Sequence, residues 1–287
     1  MAGTILLGID VESASAASLG YTRYGVELFH SLDVPVTFYI TGRTLEKYPD
    51  QFAILEQDPL IDLQCHTYDH LLLKTVFMDL PDGIKGHDDN RQYLNRGVTL
   101  EQIDDDLDRC VRLSEQVLGR RPLGFTGPWG YYRGLQDRPD ILEIVARHGL
   151  HCLRTFARDE RDCQPVPIEW QPFFYELQGF NDVLEILIHG YQDDFYWRMF
   201  ARPGPTDSYD GYLKTMARRI ADEDLVWSVA SHDHSCATRE GFEHKGSWLR
   251  SFITYAKGIG IRFLSAEGYY QEALGARQAQ QATSGMV

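Results

Sequence analysis

A chain of 287 residues with 43% hydrophobic and 12% aromatic side chains carries apolar material for one large α/β domain or two small ones, which excludes a disordered or fibrous protein. Its 28 lysines and arginines against 42 aspartates and glutamates give a formal charge of −14. With no long basic run to offset it, that charge opposes phosphate backbones and anionic membrane surfaces, so nucleic acid is not expected as a partner.

The first element is TILLGI at 4–9, a continuous apolar run of the kind buried on both faces of a parallel sheet, and it ends in Asp10. The small-residue stretch SASAAS at 13–18 lacks the basic segment of a secretory leader, and Asp10 and Glu12 interrupt what would be its apolar core. No apolar run approaches the ~20 residues that span a bilayer, so no transmembrane segment is expected and the expected location is cytoplasmic. Helical patterning covers about 18–31, PVTFYI at 35–40 reads as a second strand, and 45–57 reads as a second helix stopped by Asp58-Pro59. A third strand at 61–64 leads into QCHTYDHL.

Residues 74–98 form an insert too long and polar for an ordinary connection. Thr99 with Gln102 three residues on reads as a capping box opening a helix that Gly119 closes. The Asp104, Asp105, Asp106 and Asp108 of that helix lack the spacing of a calcium loop and are expected to face solvent. Residues 122–126 lead into the turn GPWGYYRG; a helix at 139–148 and a strand at 150–155 follow, then irregular chain to 172. VLEILI at 183–188 reads as a sixth strand, 209–220 as a helix, and LVWSVA at 225–230 as a seventh strand ending in SHDH. One more helix at 248–257 and a strand at 261–264 complete the pattern. No segment reads as a linker or repeat, so 1–272 is expected to be one domain and 273–287, small and polar, a disordered tail. The five cysteines (Cys65, Cys110, Cys152, Cys163, Cys236) form no CxxC pair and read as reduced, buried thiols. Seven or eight strands alternating with helices favour a closed α/β barrel over an open doubly wound sheet.

In such barrels reactive groups gather at the C-terminal strand ends. His66 and His70 stand four apart after the third strand; on a helical turn both imidazoles would reach one ion. Thr67 occupies the place of the glutamate in the HExxH pattern and the acid falls at Asp69, so the zinc-protease reading is set aside. The first strand ends Asp10-Val11-Glu12, where period-two geometry turns both carboxylates to one side. His232 ends the seventh strand, with His189, ending the sixth, as its rival. One carboxylate with two histidines makes a catalytic zinc shell open to water, leaving the other carboxylate as a base and a remote histidine as an acid.

Taken in order, these motifs resemble the NodB-type polysaccharide deacetylases of the carbohydrate esterase family four superfamily. His66-Thr67-Tyr68-Asp69-His70 matches the family's H(S/T)xxH, Asp10 and Glu12 its acidic first motif, Thr126 to Gly130 its aromatic proline-glycine turn, and Val229 to His232 its LxxH. The resemblance spans residue 4 to about 270 and implies a distorted (β/α)7 barrel. Two departures stand out: Val11 separates the two acids, as in a branch with IDVD-like motifs that includes allantoinase-like proteins, and Thr126 replaces the arginine that orients the family's base. Asp159-Glu160-Arg161-Asp162 is similar to a DxxDW motif whose aspartate orients the catalytic histidine, with Cys163 in place of the tryptophan. Gln192-Asp193-Asp194-Phe195 resembles a feature of the allantoinase-like branch or is simply a polar loop.

The resemblance implies metal-dependent hydrolysis of an amide C–N bond, namely deacetylation or deformylation of an N-acylated amino sugar or glycan. Glu12, His66 and His70 would hold Zn2+, or alternatively Co2+, Ni2+ or Mn2+; Asp10 would be the base and His232 the acid. Gly127, Pro128, Trp129, Gly130 and Tyr131 would line the substrate site, with Asp69 and Asp159 supporting the reactive groups. Hydrolysis of a cyclic amide, imide or ureide is the alternative, and an inactive carbohydrate-binding relative a second one. The aromatic content and the insert leave room for a homo-oligomer contact.

Overall fold

All eight residues of the first strand are buried, as expected of a strand flanked on both sides and covered on both faces. A computed structural model describes residues 3–79, 92–193 and 208–284. Along the chain these residues form β1 (Thr4–Val11), α1 (Ala16–Leu32), β2 (Val36–Ile40), α2 (Gly42–Lys47), α3 (Pro49–Leu55), β3 (Ile61–Cys65), β4 (Val76–Asp79), β5 (Gln92–Asn95), α4 (Leu100–Leu118) and β6 (Gly124–Tyr132). There follow α5 (Pro139–Arg147), β7 (Cys152–Arg158), β8 (Phe173–Phe174), β9 (Leu184–Glu185), α6 (Tyr209–Glu223), β10 (Val226–His232), α7 (Arg239–Gly258), β11 (Arg262–Leu264) and α8 (Ala266–Ser284).

Seven strands run parallel in the order β10-β1-β2-β3-β6-β7-β9, and the sheet curls into the expected distorted (β/α)7 barrel. Among the described residues no ladder joins β9 to β10; a backbone hydrogen bond and side chains close the seam. The His189 backbone N–H donates to the Ser228 carbonyl and Ser228 N–H donates to His189 Nδ1, both at 3.2 Å. Beside them the Gln171 amide accepts from Val226 N–H at 2.8 Å and donates to its carbonyl at 3.1 Å. With Nδ1 accepting, His189 Nε2–H donates to the Trp170 carbonyl at 2.6 Å, and burial lowers its pKa to about 4. This neutral histidine is a structural tie in the wall, which removes it as the rival of His232.

Outside the barrel, Ile5, Leu7, Ile9 and Val11 meet helix residues such as Tyr21, Phe29, Leu249 and Phe252. Inside, Leu6, Tyr39, Cys152 and Ile186 meet Ala266 and Tyr270 of α8. Part of the stretch expected as a tail is helical: α8 runs to Ser284, its first turns filling the barrel floor and Arg277 stacking on Phe174, 4.8 Å from the ring centre, while pairing with Glu176; residues 285–287 lie outside the described residues. The helix read at 45–57 is two helices, since Pro49 opens a new one at its first position. The last helix before β11 begins at Arg239, not at 248, where Thr238 caps it through Gly241 N–H. The sixth strand shrinks to two residues, although Ile186 and Ile188 still donate to β7 carbonyls at 2.7 and 2.8 Å. Part of the insert forms the antiparallel β4–β5 hairpin, and residues 80–91 lie outside the described residues.

Candidate active site

Asp10 lies at the C-terminal end of β1, in register with His232 on β10. The arginine missing at Thr126 arrives from the next strand. Arg154 of β7 crosses the barrel interior and donates from Nη1 and Nη2 to Asp10 Oδ1 at 2.8 and 2.9 Å, its guanidinium 4.4 Å from the Tyr39 ring centre. Gly8 makes room, for a Cβ there would lie 2.8 Å from Arg154 Nη1. Arg154 is fully buried and Asp10 nearly so. An Arg154→Met variant strands a buried carboxylate, and a stability loss of about 3–5 kcal/mol is expected in chemical denaturation. An unchanged midpoint would show that Asp10 does not depend on this partner.

The HTYDH segment is a loop and not the expected helical turn. Thr67 and His70 take left-handed φ values of 56° and 57°, which brings the two imidazoles edge to face with centres 4.9 Å apart. Asp106, expected to face solvent, is buried and fixes this loop by accepting from Tyr68 and Asp69 N–H at 2.6 and 2.8 Å. Asp69 itself turns outward to Arg43 and does not touch either histidine ring. His66 Nδ1–H donates to the Thr126 carbonyl at 2.9 Å, so its Nε2 faces the cavity. Glu12 Oε2 lies 3.0 Å from His66 Nε2 and 2.9 Å from His70 Nε2. Burial pushes the Glu12 carboxyl up, but hydrogen bonds from His234, His66 and His70 outweigh it and hold it well below the usual carboxylate range. One donor atom from each of Glu12, His66 and His70 lies within 4.8 Å of the others. A carboxylate oxygen and two imidazole nitrogens suit a borderline divalent ion and leave a position open, so these residues fit a metal.

Across the cavity, His232 Nε2 stands 3.7 Å from Asp10 Oδ2, while its Nδ1 meets Asp193 Oδ2 at 2.9 Å. Asp193 is buried and also accepts from Lys245 Nζ at 2.9 Å. The orienting carboxylate thus comes from the Gln192-Asp193 run and not from Asp159; Asp194 and Phe195 lie outside the described residues. Asp159 instead holds its own turn, accepting from Arg161 and Cys163 N–H at 2.9 Å. The signal for Asp193 was present in the sequence as a polar pair following an apolar strand, but nothing local said which loop acid would face His232.

The cavity, about 210 Å³, is lined by Asp10, Glu12, His70, His232, Asp193 and His234 with Gly127, Trp129 and Gly130 at its rim. Trp129 (φ 66°) and Gly130 (φ 62°) make a sharp left-handed turn, held where Arg158 Nε donates to both their carbonyls at 3.0 Å. At Gly130 a Cβ would fall 2.1 Å from Ala157 Cβ, so no larger residue fits. Two expected lining residues are not in the wall: Pro128 is buried beside it, and Tyr131 turns into the core, its hydroxyl accepting from Leu73 N–H at 2.8 Å. The left-handed pair Trp129–Gly130 and the register shift between Thr126 and Tyr131 break the alternation of β6, so both residues of the turn reach the cavity while Tyr131 packs in the core cluster with Ile103 and Leu107 of α4.

The sequence profile of the polysaccharide deacetylases matches residues 5–152, more than half of the chain. The chain belongs to the polysaccharide deacetylase family. A peptidoglycan deacetylase of Helicobacter pylori is 21% identical over 203 residues, which cover 66% of this chain and 59% of that protein. This family member therefore spans less than two thirds of that relative's length. Among solved structures, a Mycobacterium smegmatis chain assigned as a polysaccharide deacetylase superposes with a TM-score of 0.64 at 14% identity, covering 96% of this chain and 91% of the other. PuuE allantoinase superposes with a TM-score of 0.58 at 16% identity, covering 93% and 90%. At these identities the two structures establish a shared fold. Among the described residues of this deacetylase-family chain, no helix is long and apolar enough to cross a membrane.

Proposed function

We propose that this protein hydrolyses the N-acyl amide of an amino sugar or glycan, with a divalent transition metal, Zn2+ first among the candidates, held by Glu12, His66 and His70. The observation that carries the reading is the convergence in one cavity of that donor set with a buried, arginine-held carboxylate and a buried, carboxylate-held histidine. A bound ion supplies Lewis acidity to the acyl carbonyl and acidifies water.

The chain's own residues do the remaining work. Arg154 occupies Oδ1 of Asp10 and so leaves Oδ2, the oxygen nearer His232, to take a proton from the attacking water. His232, with Nδ1 committed to Asp193, presents Nε2 to the cavity and delivers its proton to the departing amine. The Trp129–Gly130 turn lines the cavity, and in this reading its backbone orients the acyl oxygen while the indole packs on a sugar ring. Membership of the family supports an acetylated glycan as the substrate, with a formyl or other acyl group as the alternative that the assay below distinguishes.

The test is an assay of purified, metal-loaded protein on N-acetylglucosamine oligomers, formylated amino sugars, and ureide or imide substrates, beside metal analysis of wild type and His66→Ala. Release of amine from the sugars, with about one bound ion lost in the variant, is the expected result. Turnover of only the ureides or imides would move the assignment to cyclic-amide hydrolysis. No turnover at all would favour an inactive carbohydrate-binding protein.

A further inference from the structure

His234 is 58% exposed on its side chain, a value at which a ring normally swings freely, yet its ring is held from two sides. Its Nε2 lies 3.0 Å from Glu12 Oε1, and its ring stacks on that of His232 at 5.4 Å between centres and 11° between planes. Its neighbour Asp233 is fully buried; its N–H donates to the Asp10 carbonyl at 3.1 Å, and its carboxylate accepts from Ser13 N–H at 3.1 Å, from Ser18 Oγ at 2.5 Å and from Ser13 Oγ. Asp233 thus ties the loop carrying His234 to the loop carrying Glu12. His234 does not belong to the group of donor atoms lying within 4.8 Å of one another, which is Glu12, His66 and His70. It sits on the other oxygen of the same carboxylate.

We propose that His234 is a positioning residue for Glu12, its Nε2–H occupying Oε1 so that the carboxylate turns the single oxygen Oε2 toward His66 and His70. This rests on the metal reading above. A carboxylate free to rotate can offer both oxygens to an ion and fill the position needed by water; one whose second oxygen is engaged by a donor offers one, in a fixed direction. Hydrogen-bond partners of metal ligands typically contribute 10–100-fold to affinity by such orientation.

The experiment strips the full-length protein with a chelator and titrates Zn2+ in competition with a chromophoric chelator, comparing wild type, His66→Ala, His234→Ala and His234→Gln. Wild type is expected to bind one ion and His66→Ala to lose it, while His234→Ala binds about 10–100-fold more weakly. His234→Gln, whose amide N–H reaches the same oxygen, should recover most of that loss. X-ray absorption on zinc-loaded wild type should count two imidazoles. Equal affinity in wild type and His234→Ala, or no recovery by glutamine, would overturn the positioning role. Three imidazoles would overturn it in favour of direct ligation. If folded wild type binds no ion, the metal reading fails and this role with it, an outcome separable from the others.

Discussion

Asp10→Asn is expected to lower turnover about 10²–10⁴-fold, the range for loss of a general base, with metal content unchanged. Asparagine keeps the shape of the side chain and an oxygen to accept from Arg154, whose two N–H groups already occupy Oδ1 in the wild type. What it loses is the basicity of the second oxygen, which faces His232 across 3.7 Å. Because Arg154 is fully buried and loses its counter-charge, a lower melting temperature is expected alongside the kinetic loss, so activity is to be measured well below the variant's melting range. Glu12→Gln should behave in the opposite way, losing the ion first and activity as a consequence, since its Oε2 faces both histidines. If Asp10→Asn lost the metal and Glu12→Gln kept it, the roles of the two carboxylates would have to be exchanged.

The contrast between these acids shows how far the sequence carries. Period-two geometry at the end of an apolar strand placed Asp10 and Glu12 on one side of β1, and a strand obeys that rule whatever surrounds it. Most strands of the parallel sheet are legible in the same way, as apolar runs bounded by turn residues, whereas β6 reads in large part as the turn GPWGYYRG, and β4, β5 and β8 lack such a run. The histidine pair was found by its spacing, but its backbone was not, because two left-handed residues and an aspartate 36 positions beyond His70 in the chain hold the loop. The partners that orient the site were the least visible. Arg154 reads as one basic residue in an apolar strand, and only the barrel's curvature brings it over Gly8 to Asp10. Asp193 and Asp159 look equally good as loop acids after strands; the seam between β9 and β10 decides for Asp193, because it carries that loop to His232. Long-range pairings of this kind depend on which strands are neighbours, and local pattern does not encode that.

The second large effect is on pH dependence. Burial acts to lower the His232 pKa, but the charge of Asp193 and its hydrogen bond, with smaller contributions from Glu12 and Asp10, raise it to about 9. An acid with that value stays loaded through neutrality, so kcat/KM should hold and then fall as pH rises through about 9, where the proton to be donated is lost. Asp193→Asn keeps an oxygen for Nδ1–H and removes the charge, so burial is opposed by less and the imidazole pKa drops. The alkaline limb should then move to lower pH, with the variant's deficit smallest in acid and growing toward pH ~8. A bound ion repels the imidazolium and lowers both limbs, so the decisive quantity is the difference between the two proteins at equal metal occupancy. The same pair acts on stability. Asp193 is held below the usual carboxylate range despite burial, chiefly by the charges of His232 and Lys245, so its contribution is present above the ordinary aspartate value and lost as pH falls below it. His232 is raised, so its contribution is complete below the ordinary histidine value of about 6.5 and fades as pH rises through the folded value. Wild type should therefore exceed Asp193→Asn in denaturation midpoint most clearly between pH ~4 and ~6.5 and lose that margin toward pH ~9. Superimposable rate profiles for the two proteins, at equal metal content, would mean that His232 does not supply the proton.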